Sequence, residues 1–179
     1  FLVEPPYFAE PSYFVDYSPT TIAMQEMLRQ QIKQKALKDL SEWYLRMRPE
    51  MSGAFKNLCL KVRSSKIRKE CEQEGEFFAN RIINAVGAQI RQQIEKFGDW
   101  PEAGFVGNVL SSTGMNGLKC DQWSDIVDNS VARSSGKFFK IAEEMKWGLI
   151  TDHSWTSVRG PCNYSDTPDF GIDFWPTGG

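Results

Sequence analysis

Nucleophilic chemistry needs a thiol or hydroxyl with a base beside it. This 179-residue chain holds four cysteines, Cys59, Cys71, Cys120 and Cys162, and one histidine, His153. Asp152 and Ser154 flank the histidine, but neighbours in sequence rarely point at one another, and a triad is built from distant segments. A structural or surface role is therefore expected for His153. The cysteines carry no local signature of a thiol protease, and pairing them would silence their nucleophilicity.

Metal and phosphate chemistry find no better footing. The cysteines leave 11, 48 and 41 residues between them, whereas zinc modules place ligands in Cys-x2-Cys pairs. In SSGKFF, Gly136-Lys137 resembles the end of a phosphate loop, yet Val131 stands where its first glycine belongs and Phe138 replaces its hydroxyl residue. Asp166, Asp169 and Asp173 have the oxygens a calcium ion takes, without the glycine-centred spacing of a calcium loop, so they read as a solvated acidic tail. No metal, no cofactor and no catalytic residue are expected, and the chain is read as non-catalytic.

The cysteines instead suggest staples. Four permit two disulfides in three connectivities. Cys59 and Cys71 bracket the basic run KVRSSKIRKE at 61–70. If that run is a turn between antiparallel helices, the two bridge and close a short loop; if helix runs through it, they lie about 18 Å apart and cannot join. Cys120 and Cys162 would then tie the C-terminal segment to the start of the last helix. Asn163-Tyr164-Ser165 is a glycosylation sequon. Together these features point to an oxidising compartment, whether secreted, an organelle lumen or an intermembrane space, with the cytoplasm as the alternative. Phe1 in place of methionine fits a processed chain or a fragment.

The elements that must position these groups are mostly helical. Ser18-Pro19 suits a helix start. From there Met24, Met27, Leu28, Ile32, Ala36, Leu40, Trp43, Tyr44 and Met47 recur at helical spacing until Pro49 ends or kinks the helix. A second stretch covers 50–62. A third carries Phe78, Ile82, Ile83, Val86, Ile90, Ile94 and Phe97, with Gly98 as its stop and Gly75, Ala79, Gly87 and Ala88 allowing close approach of a neighbour. Residues 98–118 form a glycine-rich loop. A fourth helix is expected from Asp121 to about Trp147. The expected fold is a mostly α, antiparallel bundle of about four helices at 20–148, with extended, irregular arms at 1–19 and 149–179.

The arms differ in kind from the body. Residues 1–19 and 160–179 each hold three acids and no base, while the stretch between them carries four more bases than acids. The net charge of −2 gives no reason to expect nucleic acid, and no apolar run is long enough to span a membrane. The first arm repeats Glu-Pro-x-Tyr-Phe and carries Tyr7, Phe8, Tyr13, Phe14 and Tyr17; the second carries Phe170, Phe174 and Trp175. Aromatic anchors on a proline-stiffened strand suit docking in a groove. The expected function is a structural or assembly subunit that clasps neighbouring protein subunits, of the same or another chain, through these residues. The alternative is an exported helical carrier holding a small apolar ligand among Trp43, Phe78, Trp123 and Phe138.

Overall fold

The computed structural model describes residues 18–101, 114–131, 136–146, 153–165 and 167–174. Among them are three helices, α1 (Pro19–Cys59), α2 (Ser65–Phe97) and α3 (Cys120–Val131), and three strands, β1 (Lys140–Lys146), β2 (His153–Arg159) and β3 (Phe170–Ile172). The strands form one antiparallel sheet in the order β1-β2-β3. The chain is mostly helical, as expected, but not a four-helix bundle.

Two departures have clear causes. The two helices expected either side of Pro49 are one. Pro49 leaves the carbonyl of Leu45 without its helical donor, and both residues are exposed, so water takes the missing place. The expected fourth helix stops at Val131, and KIAEEMK is strand β1. Glu74 on α2 decides this: its carboxylate accepts the backbone N–H groups of Lys137, Phe138 and Phe139 at 2.9, 2.8 and 3.1 Å. Amides drawn outward in this way are not available to a helix, and β2 supplies the partners along a seven-residue register from Lys140↔Arg159 to Lys146↔His153. β2 and β3 in turn take residues expected to be an irregular arm.

α1 and α2 form an antiparallel hairpin whose turn is 60–64. Cys59 and Cys71 are bridged, with Cα atoms 5.8 Å apart, and Arg68 donates twice to the Val62 carbonyl, at 3.0 and 2.8 Å. Ser64 caps α2, and Gly98 closes it in the left-handed conformation at φ 84°. The register continues through Phe55 on Gly75, Arg48 to Asn84 at 3.1 Å, and Tyr44 lying across Gly87. Helix and sheet share one core. Phe55, fully buried, meets Phe139 edge-on at 4.9 Å and Phe170 at 5.5 Å. By area such a side chain contributes roughly 2–3 kcal/mol.

Candidate active site at the head of the third helix

α3 begins sharply. The Lys119 N–H donates to Gln122 Oε1 at 2.8 Å, and the Trp123 N–H donates to the Lys119 carbonyl at 3.1 Å. The first is the glutamine half of a capping box and the second an ordinary helical bond, and together they make Cys120 the first helical residue. The opening-turn N–H groups of any helix lack intrahelical acceptors and carry the positive end of its dipole.

Hydrogen bonds fix how α3 lies on the sheet. Thr156 Oγ1 donates to Asp128 Oδ1 at 3.1 Å and reaches the Ser124 carbonyl at 3.5 Å, and Ser124 Oγ donates to Glu143 Oε1 at 3.0 Å. Asp128 and Val131, near the helix's end, share a cavity of about 340 Å³ with Lys140 and Ile141 at the start of β1. Trp123, near its head, stacks at 6.3 Å on Phe174 beyond β3. α3 therefore runs parallel to β2, with its head toward His153. From the Thr156 level, Cys120 lies about 9 Å along the helix and His153 about 10 Å along the strand. Ile172 pairs with Thr156, so Asp173 also lies toward that end. By register positions 153 and 173 belong to the sheet face away from α3, so position 120 shares their end of the layer but not their face. Cys120, His153 and Asp173 thus share one end of the layer.

The seam below is acidic. Burial holds Asp125 above the ordinary carboxylate range, helped by Glu143 and Asp121. Burial does the same for Asp128, reinforced by Glu143 and Asp125 against the Thr156 hydrogen bond. Beside Asp173 runs a groove of about 510 Å³ between α1 and β3, floored by Trp43, Met47 and Met51 and walled by Phe170 and Ile172.

The other expected site residues fall as follows. Tyr7, Phe8, Tyr13, Phe14, Tyr17 and Trp175 lie outside the described residues. Phe170 and Phe174, expected to anchor a neighbour, face their own core instead: Phe174 is buried between Trp43 and Trp123. The four carrier residues do not ring one cavity, since Trp43 lines the groove and Phe78 the smaller cavity beside α3. Cys162 is an exposed free thiol, its S–H 3.7 Å from the Lys61 carbonyl. Cys162 is therefore not in the bridge expected to Cys120.

Asn163 holds its own loop together. Its Nδ2 donates to the Thr167 carbonyl and Asp169 Oδ2 at 2.8 and 2.9 Å, and its Oδ1 accepts from Ser165 N and Oγ. A glycan on Nδ2 would displace one of the two donated bonds. Asp169 is no metal ligand here, because Lys61 Nζ at 2.8 Å and the Gly160 N–H at 2.8 Å already occupy its carboxylate. Burial acts to raise its pKa, but these donors and Asn163 outweigh it, and the group sits below its ordinary value. Among the described residues no group of three or more His, Cys, Asp or Glu side chains is placed to hold a metal ion, and no helix is long and apolar enough to cross a membrane.

Comparison with protein-family models, with curated proteins and with solved structures finds no match to this chain. Function has to be argued from its own residues. Two premises set catalysis aside in the sequence, paired cysteines and a histidine without partners. The first does not hold for Cys162, whose thiol is free.

Proposed function

We propose that this chain is a structural or assembly subunit that clasps neighbouring protein subunits through its 1–17 arm. The observation that supports this reading is the run of apolar side chains, Ile22, Met24, Met27 and Leu28, that α1 leaves more than half exposed just after that arm; apolar surface of this kind marks an interaction site. The Cys59–Cys71 bridge is compatible with an oxidising compartment for this role. Deleting residues 1–17 is expected to lose the assembly and keep the fold, as read by sedimentation velocity and circular dichroism; an assembly that survives the deletion unchanged would end the proposal.

A further inference from the structure

The basic run KVRSSKIRKE forms the tip of the hairpin. The Cys59–Cys71 bridge sets the end of α1 level with Cys71, so residues 65–70, the opening of α2, stand up to about 9 Å beyond it. The chain climbs to them through 60–64. This knob is firm: Arg68 donates twice to the Val62 carbonyl, Ser64 Oγ accepts from the Ile67 N–H at 3.4 Å, and the bridge holds the base. A surface ordered beforehand loses little entropy on docking.

Its composition is one-sided. Residues 56–69 hold six bases, Lys56, Lys61, Arg63, Lys66, Arg68 and Lys69, and no acid. The acids nearby do not cancel them. Glu70 is met at 2.8 Å by Lys137, from outside the run, and with Asp166 and Asp169 of the neighbouring loop both counted the bases still lead six to two. Among the bases stand side chains that the core does not take. Leu60 is 62% and Ile67 43% exposed, and Tyr164, in the loop that Cys162 sets against the Lys61 carbonyl, is 95% exposed. Bases interleaved with exposed aliphatic and aromatic side chains suit the headgroup layer of a membrane.

The chain's segments outside the described residues are tethered too far away to cover this tip. α1 is 41 residues long, about 60 Å, and Glu4, the outermost acid of the first arm, lies 14 residues from Ser18, about 49 Å at full extension. Residues 102–113 leave and return beside Trp100, whose carbonyl accepts from Asn116 at 2.9 Å, at the far end of the 33-residue α2. Tied at both ends, they reach roughly 20 Å of the 50 Å needed. Residues 175–179 start from Phe174 beside Trp43, about 25 Å short of Leu60, and span about 17 Å. Residues 147–152 join the ends of β1 and β2 remote from Gly160, which lies against Leu58, and 132–135 include Arg133 and no acid.

We infer that the hairpin tip docks on an anionic lipid surface, with Leu60, Ile67 and Tyr164 entering the boundary between headgroups and acyl chains and the bases meeting the charged headgroups. Two features select a bilayer over an acidic peptide or a nucleic acid. The tip is convex, and neither cavity described above includes a residue of 56–70, so it offers no groove to hold a strand. An aliphatic pair gains nothing from a phosphate backbone, whereas it gains from an acyl layer. This surface is separate from the 1–17 arm and from the clasping role proposed for it.

The test is co-sedimentation of the full chain with vesicles of phosphatidylcholine alone, and of phosphatidylcholine with about 30% phosphatidylserine, at low and high salt. Binding is expected to the anionic vesicles only, and to weaken as salt is raised. Lys66→Glu with Lys69→Glu should weaken it at least about tenfold, since each base near such a surface contributes roughly fivefold. Leu60→Ser with Ile67→Ser should weaken it at least about threefold. Lys35→Glu with Lys38→Glu makes the same change in net charge on exposed lysines of α1 and should leave binding within about twofold. All these positions are exposed, and each variant should keep the circular dichroism spectrum of the parent. No binding to anionic vesicles, or a loss no greater at 66 and 69 than at 35 and 38, overturns the inference. So does binding indifferent to the Leu60 and Ile67 changes, which marks a contact any polyanion makes, and so does binding lost on removing residues 1–17, which moves the contact to the arm.

Discussion

Reducing the Cys59–Cys71 bridge should destabilise the protein chiefly through its unfolded state. The bridge joins residues 12 apart in sequence, and both cysteines are fully buried at the top of the hairpin. Reduction leaves two thiols in nearly the same volume, with Phe55 still seated on Gly75 one turn below. The native state therefore changes little. The unfolded chain regains the freedom of a loop of this length, worth about 3 kcal/mol in the chain-entropy account. With a urea m-value of about 2 kcal/mol/M, the unfolding midpoint should fall by roughly 1.5 M. The assay is urea unfolding followed by tryptophan fluorescence, since Trp43 and Trp123 are buried and report on both halves of the core. Protein reduced while denatured and refolded in reductant is compared with oxidised protein. A Cys120→Ser, Cys162→Ser background leaves no other thiol to reshuffle the bridge. A midpoint shift under about 0.5 M would refute the reasoning, because the loop would then be constrained equally without the bond.

Two further outcomes follow from the packing and the charges. Gly87→Ala should cost about 1–3 kcal/mol in thermal or urea unfolding, since its new methyl group would fall on the Tyr44 ring and hydroxyl, and Tyr44→Leu should recover part of the loss. Two carboxylate groups should oppose each other in pH dependence. Asp169 lies below its ordinary value, so its contribution is present at neutral pH and is lost as pH falls through its lowered pKa. Asp125 and Asp128 lie above theirs, so the folded state favours their protonated forms, and the stability this gives at acid pH is lost as pH rises through their raised values. Asp128→Asn, which keeps an acceptor for Thr156, should raise stability more at pH 7 than at pH 4 in urea unfolding; equal effects at both values would discount the acidic seam.

The helical hairpin was legible in the sequence because its contacts are periodic and local. The apolar stripe of α2, its Gly98 stop, the close approaches at Gly75 and Gly87 and the Cys59–Cys71 fork all follow from spacing alone. The sheet was not legible, for two reasons. KIAEEMK has good helical propensity, and only a carboxylate 63 to 65 residues away turns its entrance into a strand. In HSWTSVR the buried positions are Ser154, Thr156, Ser157 and Val158, and three of the four are hydroxyl residues, so the run carries little hydrophobic contrast and no strict alternation. The candidate site failed to show for the same reason. Cys120, His153 and Asp173 are separated in sequence, and only the sheet that escaped notice brings their backbone positions to one level. Phe170 and Phe174, expected as anchors for a neighbour, pack on Phe55 and Trp43 of α1 within the chain.

The Glu74 clasp also sets an order of assembly. Contacts within the hairpin join neighbours in the chain through a five-residue turn, and such local contacts form early and cheaply. β1 starts where three amides meet a carboxylate on α2, so the sheet is laid on a helix already in place, while Phe55 of the hairpin packs its ring against Phe139 and Phe170 in return. Native-state hydrogen exchange is expected to open the sheet layer before the stapled hairpin.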